Sequence, residues 1–275
     1  MRPRDILLAL LALTACSSLA RGEEDIAAAL RKRLGSEFRI QKAGHFLLVG
    51  NISQRDMDRI ANGTVLGVSA ALFRDFFDKK PTNITTVYLF KDDATYRSYA
   101  QKLFGEKAVS KYGYYMQADD RMMMNISTGT GTLAHEMFHA LVAADFPEIP
   151  TWLNEGMASL CEQSRIVGGS IYGMINWRYP VLMKALKAGT ALRLKDLVAT
   201  SDAEFRGENM DANYAVARYF CMYLQEKKLL RKFYKKFRDH AKEDPTGTKF
   251  LVEVLGKDLD TVQDEWHAWV RALGR

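Results

Sequence analysis

His135-Glu136-Met137-Phe138-His139, followed by Trp152-Leu153-Asn154-Glu155-Gly156, is the stretch on which the reading of this chain turns. On a helix, two histidines four residues apart project from nearly the same face, about one turn apart. Two neutral imidazoles at that spacing can hold one Zn²⁺ from the same side. Glu136 follows the first histidine and points beside the metal, where it can take a proton from an attacking water and return it to a leaving amine. A catalytic zinc uses three protein ligands and keeps one position open. Glu155, on a second helix, is the natural third ligand. The pentapeptide alone also occurs on ordinary amphipathic helices, so its surroundings matter. Met137, Phe138, Leu141 and Val142 make the helix apolar over much of its surface. Two histidines and a carboxylate buried there need a common partner. The run Thr128-Gly129-Thr130-Gly131-Thr132 supplies a flexible start with threonines to cap the helix, and Pro147 and Pro150 end it.

These residues resemble the gluzincin type of zinc metallopeptidase. That group pairs a His-Glu-x-x-His helix with a glutamate ligand on the following helix, often within Asn-Glu-Gly, as in Asn154-Glu155-Gly156. The short spacing is similar to that of bacterial peptidase MA-like proteins. The Gly-x-Met-Glu-Asn segment with which large aminopeptidases read a substrate amine is missing from the sequence. The resemblance implies one Zn²⁺ per chain held by His135, His139 and Glu155, Glu136 as general base, and a peptide or protein substrate. It implies an α+β, zincin-like fold with a cleft between its halves.

Working outward from the motif, the chain before it reads as mixed α/β and the chain after Pro150 as nearly all helix. Phe38 to Lys42 and His45 to Val49 are short strand candidates. Ser53 with Asp56 marks a helix start, running to about Phe77 with a weak point at Gly63 and Gly67. Thr85 to Phe90 is a buried strand and Asp93 opens a helix to about Phe104. Tyr112 to Gln117 and Arg121 to Ile126 form a hairpin around Asp119-Asp120. It either offers an edge strand to an extended peptide or merely completes the sheet. Beyond Pro150, helices are expected near Tyr179–Ala188, Asn213–Gln225, Leu229–Ala241 and Thr248–Leu255. A last helix from Asp260 has Gln263 completing a capping box. Trp266 and Trp269, three apart, pack inward.

Four segments follow: 1–15, a lipoprotein signal peptide; 16–35, a tether and helix from Glu23 to Leu34; 36–146, the α/β subdomain with the metal helix; and 147–275, the helical subdomain with Glu155. Arg2 and Arg4 precede an apolar run from Ile6 to Thr14, shorter than the roughly 20 residues that span a bilayer. Leu13-Thr14-Ala15-Cys16 resembles a bacterial lipobox, which implies lipidation of Cys16 and anchoring in the cell envelope. With Ser17-Ser18 following, the periplasmic face of the outer membrane is the expected site. An ordinary signal peptide with an incidental cysteine is the alternative. The formal net charge of +6 falls by one when Arg2, Arg4 and Asp5 leave. Such mild basicity does not argue for nucleic acid and suits work near anionic lipid or wall polymer. Lys227, Lys228, Arg231, Lys232, Lys235, Lys236 and Arg238 form a basic helical face, read as solvated, with docking on anionic membrane as the alternative.

Four further sets of residues lie around the motif. Ser159, four after Glu155 on the same helix face, is either a bond partner of a ligand histidine or a small packing residue. Glu162, seven after Glu155 on the same face, is either a support behind a ligand or, the favoured reading, a residue of the cleft rim or of an ion pair. Tyr214 is either the donor to a developing oxyanion, with Tyr219, Tyr223 and His240 as competitors, or an aromatic packing residue with a satisfied hydroxyl. Cys161 and Cys221 are either a disulfide or two buried thiols. Two other functions fit the same residues: an inactive envelope binding or assembly protein, and a zinc hydrolase of a non-peptide amide such as a wall crosslink.

Overall fold

Strands that alternate between two dry faces carry the first half of the molecule. The computed structural model describes residues 28–107 and 109–274. Strands β1 (Arg39–Ala43), β2 (Phe46–Gly50), β3 (Thr85–Phe90), β4 (Gly113–Met116) and β5 (Arg121–Asn125) form one mixed sheet in the order β1-β2-β3-β5-β4. The inner strands β2, β3 and β5 are parallel, and both edges pair antiparallel. Parallel strands are covered on both faces and read as continuous apolar runs, as Leu47-Leu48-Val49 and Met122-Met123-Met124 do. Leu48, Val87 and Met122 stand in one cross-strand row and enter the larger core; Val49, Tyr88 and Met123 form the next row and enter the smaller one. Leu30 and Leu34 of α1 (28–34) and Tyr96 and Ala100 of α4 (Asp93–Phe104) close the smaller core.

The larger core is closed by a helical stretch between β2 and β3 and by α5 (Gly131–Asp145). Ser53 caps that stretch by accepting from the Asp56 amide, as expected. The weak point at Gly63 and Gly67 does not break it. The chain passes from α2 (Gln54–Arg59) through a π-helical segment, Ile60–Leu66, into α3 (Gly67–Asp75). Thr130 sits at the N-cap of α5 but its side chain makes no capping bond; its hydroxyl lies 3.3 Å from Thr64 Oγ1.

The second half departs further from expectation. After α6 (Thr151–Glu162) comes a hairpin, β6 (Ser164–Val167) and β7 (Ser170–Gly173), within the region read as all helix. Helices α7 (Arg178–Ala188), α8 (Leu194–Ala199), α9 (Asp202–Phe205), α10 (Met210–Glu226), α11 (Leu230–His240), α12 (Thr248–Leu255) and α13 (Leu259–Ala272) follow. The cap of α13 is Asp258, not Asp260, and Gln263 completes no box. It accepts from the Leu194 amide and ties α13 to α8. Trp266 is fully buried and Trp269 packs at the core's margin. Cys161 and Cys221 are free, buried thiols. The Cys221 sulfur lies against Gly156, and burial raises both groups, Cys161 to about 12. The larger core runs without interruption through both halves. Cys16 and the signal segment lie outside the described residues. No described helix is long and apolar enough to cross a membrane.

Part of the basic face on α11 is not solvated. Arg238 reaches Asp145, the last residue of α5, and Asp78, while Lys235 also bonds Asp78. Asp145 is buried and accepts from the amides of Asp78 and Lys79 and from the Tyr234 hydroxyl. Burial alone would raise this carboxyl; the two amides, Arg238 and Tyr234 hold it below its ordinary value. Its contribution is therefore present above the usual carboxylate range and lost as pH falls through the lowered value. Asp145→Ala leaves the guanidinium without this partner. It is expected to destabilise the fold by about 3–5 kcal/mol in urea titrations at neutral pH, with a smaller difference from wild type in acid.

Candidate metal centre

Helices α5 and α6 form a hairpin joined by the short segment 146–150, and their facing sides carry the donors. His135 and His139 stand one turn apart on α5, and Glu155 comes across from the second turn of α6. Two glycines let the helices close. A Cβ on Gly156 would meet the Ala217 carbonyl of α10 at 2.9 Å, and one on Gly131 would meet the Glu162 carbonyl at 2.6 Å. The glycine after Glu155 is thus a packing requirement that seats α6 between α5 and α10.

The three donor atoms form a compact triangle. His135 Nε2 lies 3.0 Å from His139 Nε2, and Glu155 Oε2 lies 3.2 Å and 3.4 Å from these two nitrogens. A tetrahedral centre with bonds of about 2.0 Å to nitrogen and oxygen sets its donors about 3.3 Å apart. The set fits a metal ion in size as well as in chemistry. Oε2 of Glu155 is buried and has no aligned hydrogen-bond donor. His135 and Glu155 are buried and His139 is half-buried.

Each donor is held from behind. His139 Nδ1 is 2.9 Å from the Asn154 side-chain oxygen, and His135 Nδ1 is 3.0 Å from Glu162 Oε1, though not aligned for an ideal bond. With Nδ1 turned to an oxygen, each neutral ring carries its hydrogen there and offers Nε2 to the centre. Arg178 donates to both oxygens of Glu162, at 2.9 and 3.2 Å. Arg206 donates to Glu155 Oε1 at 2.8 Å, which leaves Oε2 for the metal. The position proposed for Ser159 is a correction. Its hydroxyl is buried without a partner, and the role of orienting His135 belongs to Glu162, three residues further along. The i+7 position reaches the ring because α6 runs alongside α5, and the longer glutamate spans what a serine hydroxyl does not.

The electrostatics favour a cation. Burial works against charging His135, yet Glu155, Glu162 and Glu136 overcome it and raise the imidazole to about 10. Burial would also raise Glu155, but the two histidines hold it far below its ordinary value. The centre opens onto a cleft of about 830 Å³ lined by Tyr112, Gly113, His135, Glu136, Glu162, Trp177, Arg178, Met210 and Tyr214, among others. No described residue forms a hydrogen bond or ion pair with Glu136, so its carboxylate faces the cleft unengaged. Tyr214 lines the same space; its hydroxyl accepts from Arg206 at 2.9 Å and its own hydrogen is turned to the nearby Glu155 carboxylate. Burial and the nearby Glu155 raise this phenol, which keeps it protonated. The competitors are engaged elsewhere: Tyr219 accepts from the Asn176 amide, Tyr223 bonds Glu265, and His240 bonds Glu243. Arg178 and Arg206 carried no signal in the sequence, because each meets its partner only through tertiary packing. No protein-family model and no curated protein matches the chain.

Proposed function

We propose that this protein is a zinc metallopeptidase of the gluzincin type with a zincin-like fold. The observation that supports it best is the triangle of His135, His139 and Glu155 with the unengaged Glu136 beside it in one cleft. Zinc, when bound there, supplies a Lewis acid that acidifies water and polarises a carbonyl. Glu136 takes the proton of the attacking water and delivers it to the departing nitrogen. Arg206 fixes the Glu155 carboxylate through one oxygen, and Glu162 and Asn154 fix the two rings. Tyr214 donates to the oxygen on which negative charge grows. A polypeptide substrate is favoured over a small amide by β4. It is an edge strand, its start lines the cleft, and an extended peptide can add to it through backbone bonds. A purely structural zinc site would give no use to Glu136.

Incubating the purified protein with a diverse peptide mixture and reading products by mass spectrometry tests this reading. Zinc-dependent new termini are expected, and their absence at full zinc loading would count against it. Anchoring in the bacterial envelope is proposed on Leu13-Thr14-Ala15-Cys16 alone, and intact-mass analysis of the processed N-terminus checks it.

Tyr214→Phe removes only a hydroxyl. Because its bond strengthens as charge develops, kcat should fall by about 10²–10³ while zinc content and thermal stability stay near wild type. Near-normal turnover in this variant would remove Tyr214 from the reaction.

A further inference from the structure

Most large apolar side chains of the described residues are buried; of the exposed ones, Ile166, Val167, Tyr172, Met174 and Ile175 lie on and just after the β6–β7 hairpin, and three others meet at the cleft. Tyr112, Trp177 and Met210 are 46, 56 and 42 % exposed, and all three line the cleft that holds the metal cluster. They come from unrelated places: the approach to β4, the residue before α7, and the first residue of α10. Three distant segments therefore bring solvent-facing apolar groups to one space. Trp177 is the most exposed of the chain's tryptophans; Trp152 and Trp266 are fully buried. Val181, one turn further along α7, continues the same wall. An exposed apolar surface in a concave site marks where a ligand covers it.

The charges in the wall do not compete for that role. The Arg178 guanidinium is held by Glu162 and lies 5.0 Å from the Tyr214 ring, so it is not open to an acidic ligand. Asp211 at the rim is exposed and repels one. The walls and the reacting centre are continuous, since His135 and Glu136 line the same cleft. Whatever covers the apolar wall lies next to the bond being cleaved.

We infer that Tyr112, Trp177 and Met210 form a specificity wall that selects peptides with a large aromatic or aliphatic side chain beside the scissile bond. This rests on the peptidase reading for cleavage, but the selection itself is a binding property. An extended chain added to β4, whose start lines the cleft beside Tyr112, points alternate side chains out of its own plane.

The test compares peptides of one length and charge that differ at a single position, Phe or Leu against Ala or Asp. Binding is measured by calorimetry on zinc-loaded Glu136→Gln protein, and cleavage on wild type. Phe and Leu peptides should bind, and be cleaved in kcat/KM, at least about 10-fold better than the Ala peptide, the scale of discrimination an apolar site gives. Trp177→Ala and Met210→Ala, each placed in both backgrounds, should lose most of that preference while retaining zinc and the wild-type circular dichroism. Equal binding of Phe and Ala peptides would overturn the wall, as would a preference that survives both substitutions. Peptide discrimination that is clear in binding, with no cleavage by wild type, would overturn the peptidase reading and leave the wall standing. Binding of acyl chains in place of any peptide would overturn both.

Discussion

Glu155→Ala is expected to empty the metal centre and abolish activity. Glu155 supplies the only carboxylate of the donor triangle, its Oε2 lying 3.2 and 3.4 Å from the two histidine nitrogens. Loss of outer partners alone weakens metal sites by about 10–100-fold. Removing a ligand together with its charge should exceed that. Wild type should carry one zinc per chain by elemental analysis, and Glu155→Ala and His135→Ala should carry almost none. The stability of the zinc-loaded protein should also respond. An ion present at about 1,000 times its Kd stabilises the folded state by about 4 kcal/mol. Chelation of wild type should therefore lower its melting temperature, while the ligand variants should not respond to chelator. Full zinc occupancy in both variants would refute the assignment.

Glu136→Gln should separate metal binding from chemistry. The side chain keeps its size, and Glu136 belongs to neither the donor triangle nor any described ion pair. Zinc content and melting temperature should match wild type. The amide has no lone pair basic enough to accept a proton from water at neutral pH. Turnover should fall by about 10²–10⁴, the usual worth of a positioned general base. Peptide affinity should change little. A variant that retains zinc and cleaves at the wild-type rate would move the proton to another group.

How much of this was legible depended on the sequence distance over which each feature is built. The donors were readable because two of them sit four apart on one helix and the third lies on the next. The strand Thr85–Phe90 was readable to the residue, since both faces are apolar and β-branched or aromatic side chains fill it. The β6–β7 hairpin carried a signal too, with Gly168-Gly169, both at positive φ, between Arg165-Ile166-Val167 and Ser170-Ile171-Tyr172. Ser159 and Glu162 show a different limit. Both share a helix face with Glu155, and only the depth and angle of α6 against α5 decide which of them reaches His135. Arg206 was beyond reach, because nothing local links it to a glutamate 51 residues earlier. Gln263 matched a capping pattern, yet a buried amide of another helix was the stronger partner.

The donors come from one α-hairpin, whereas the exposed apolar residues of the cleft come from the approach to β4, the residue before α7 and the start of α10. On the proposed reading, the segment that would perform the chemistry is short and contiguous, and the apolar residues that would meet the substrate are spread along the chain. Sequence change at Tyr112 or Met210 alters the lining of the cleft away from the donors, whereas at the start of α7 Arg178 holds the Glu162 that faces His135. Within the hairpin, by contrast, Gly131 and Gly156 leave no room for an added carbon, and change there is constrained at nearly every turn. On that reading, selectivity and reactivity would rest on largely separate stretches of one chain.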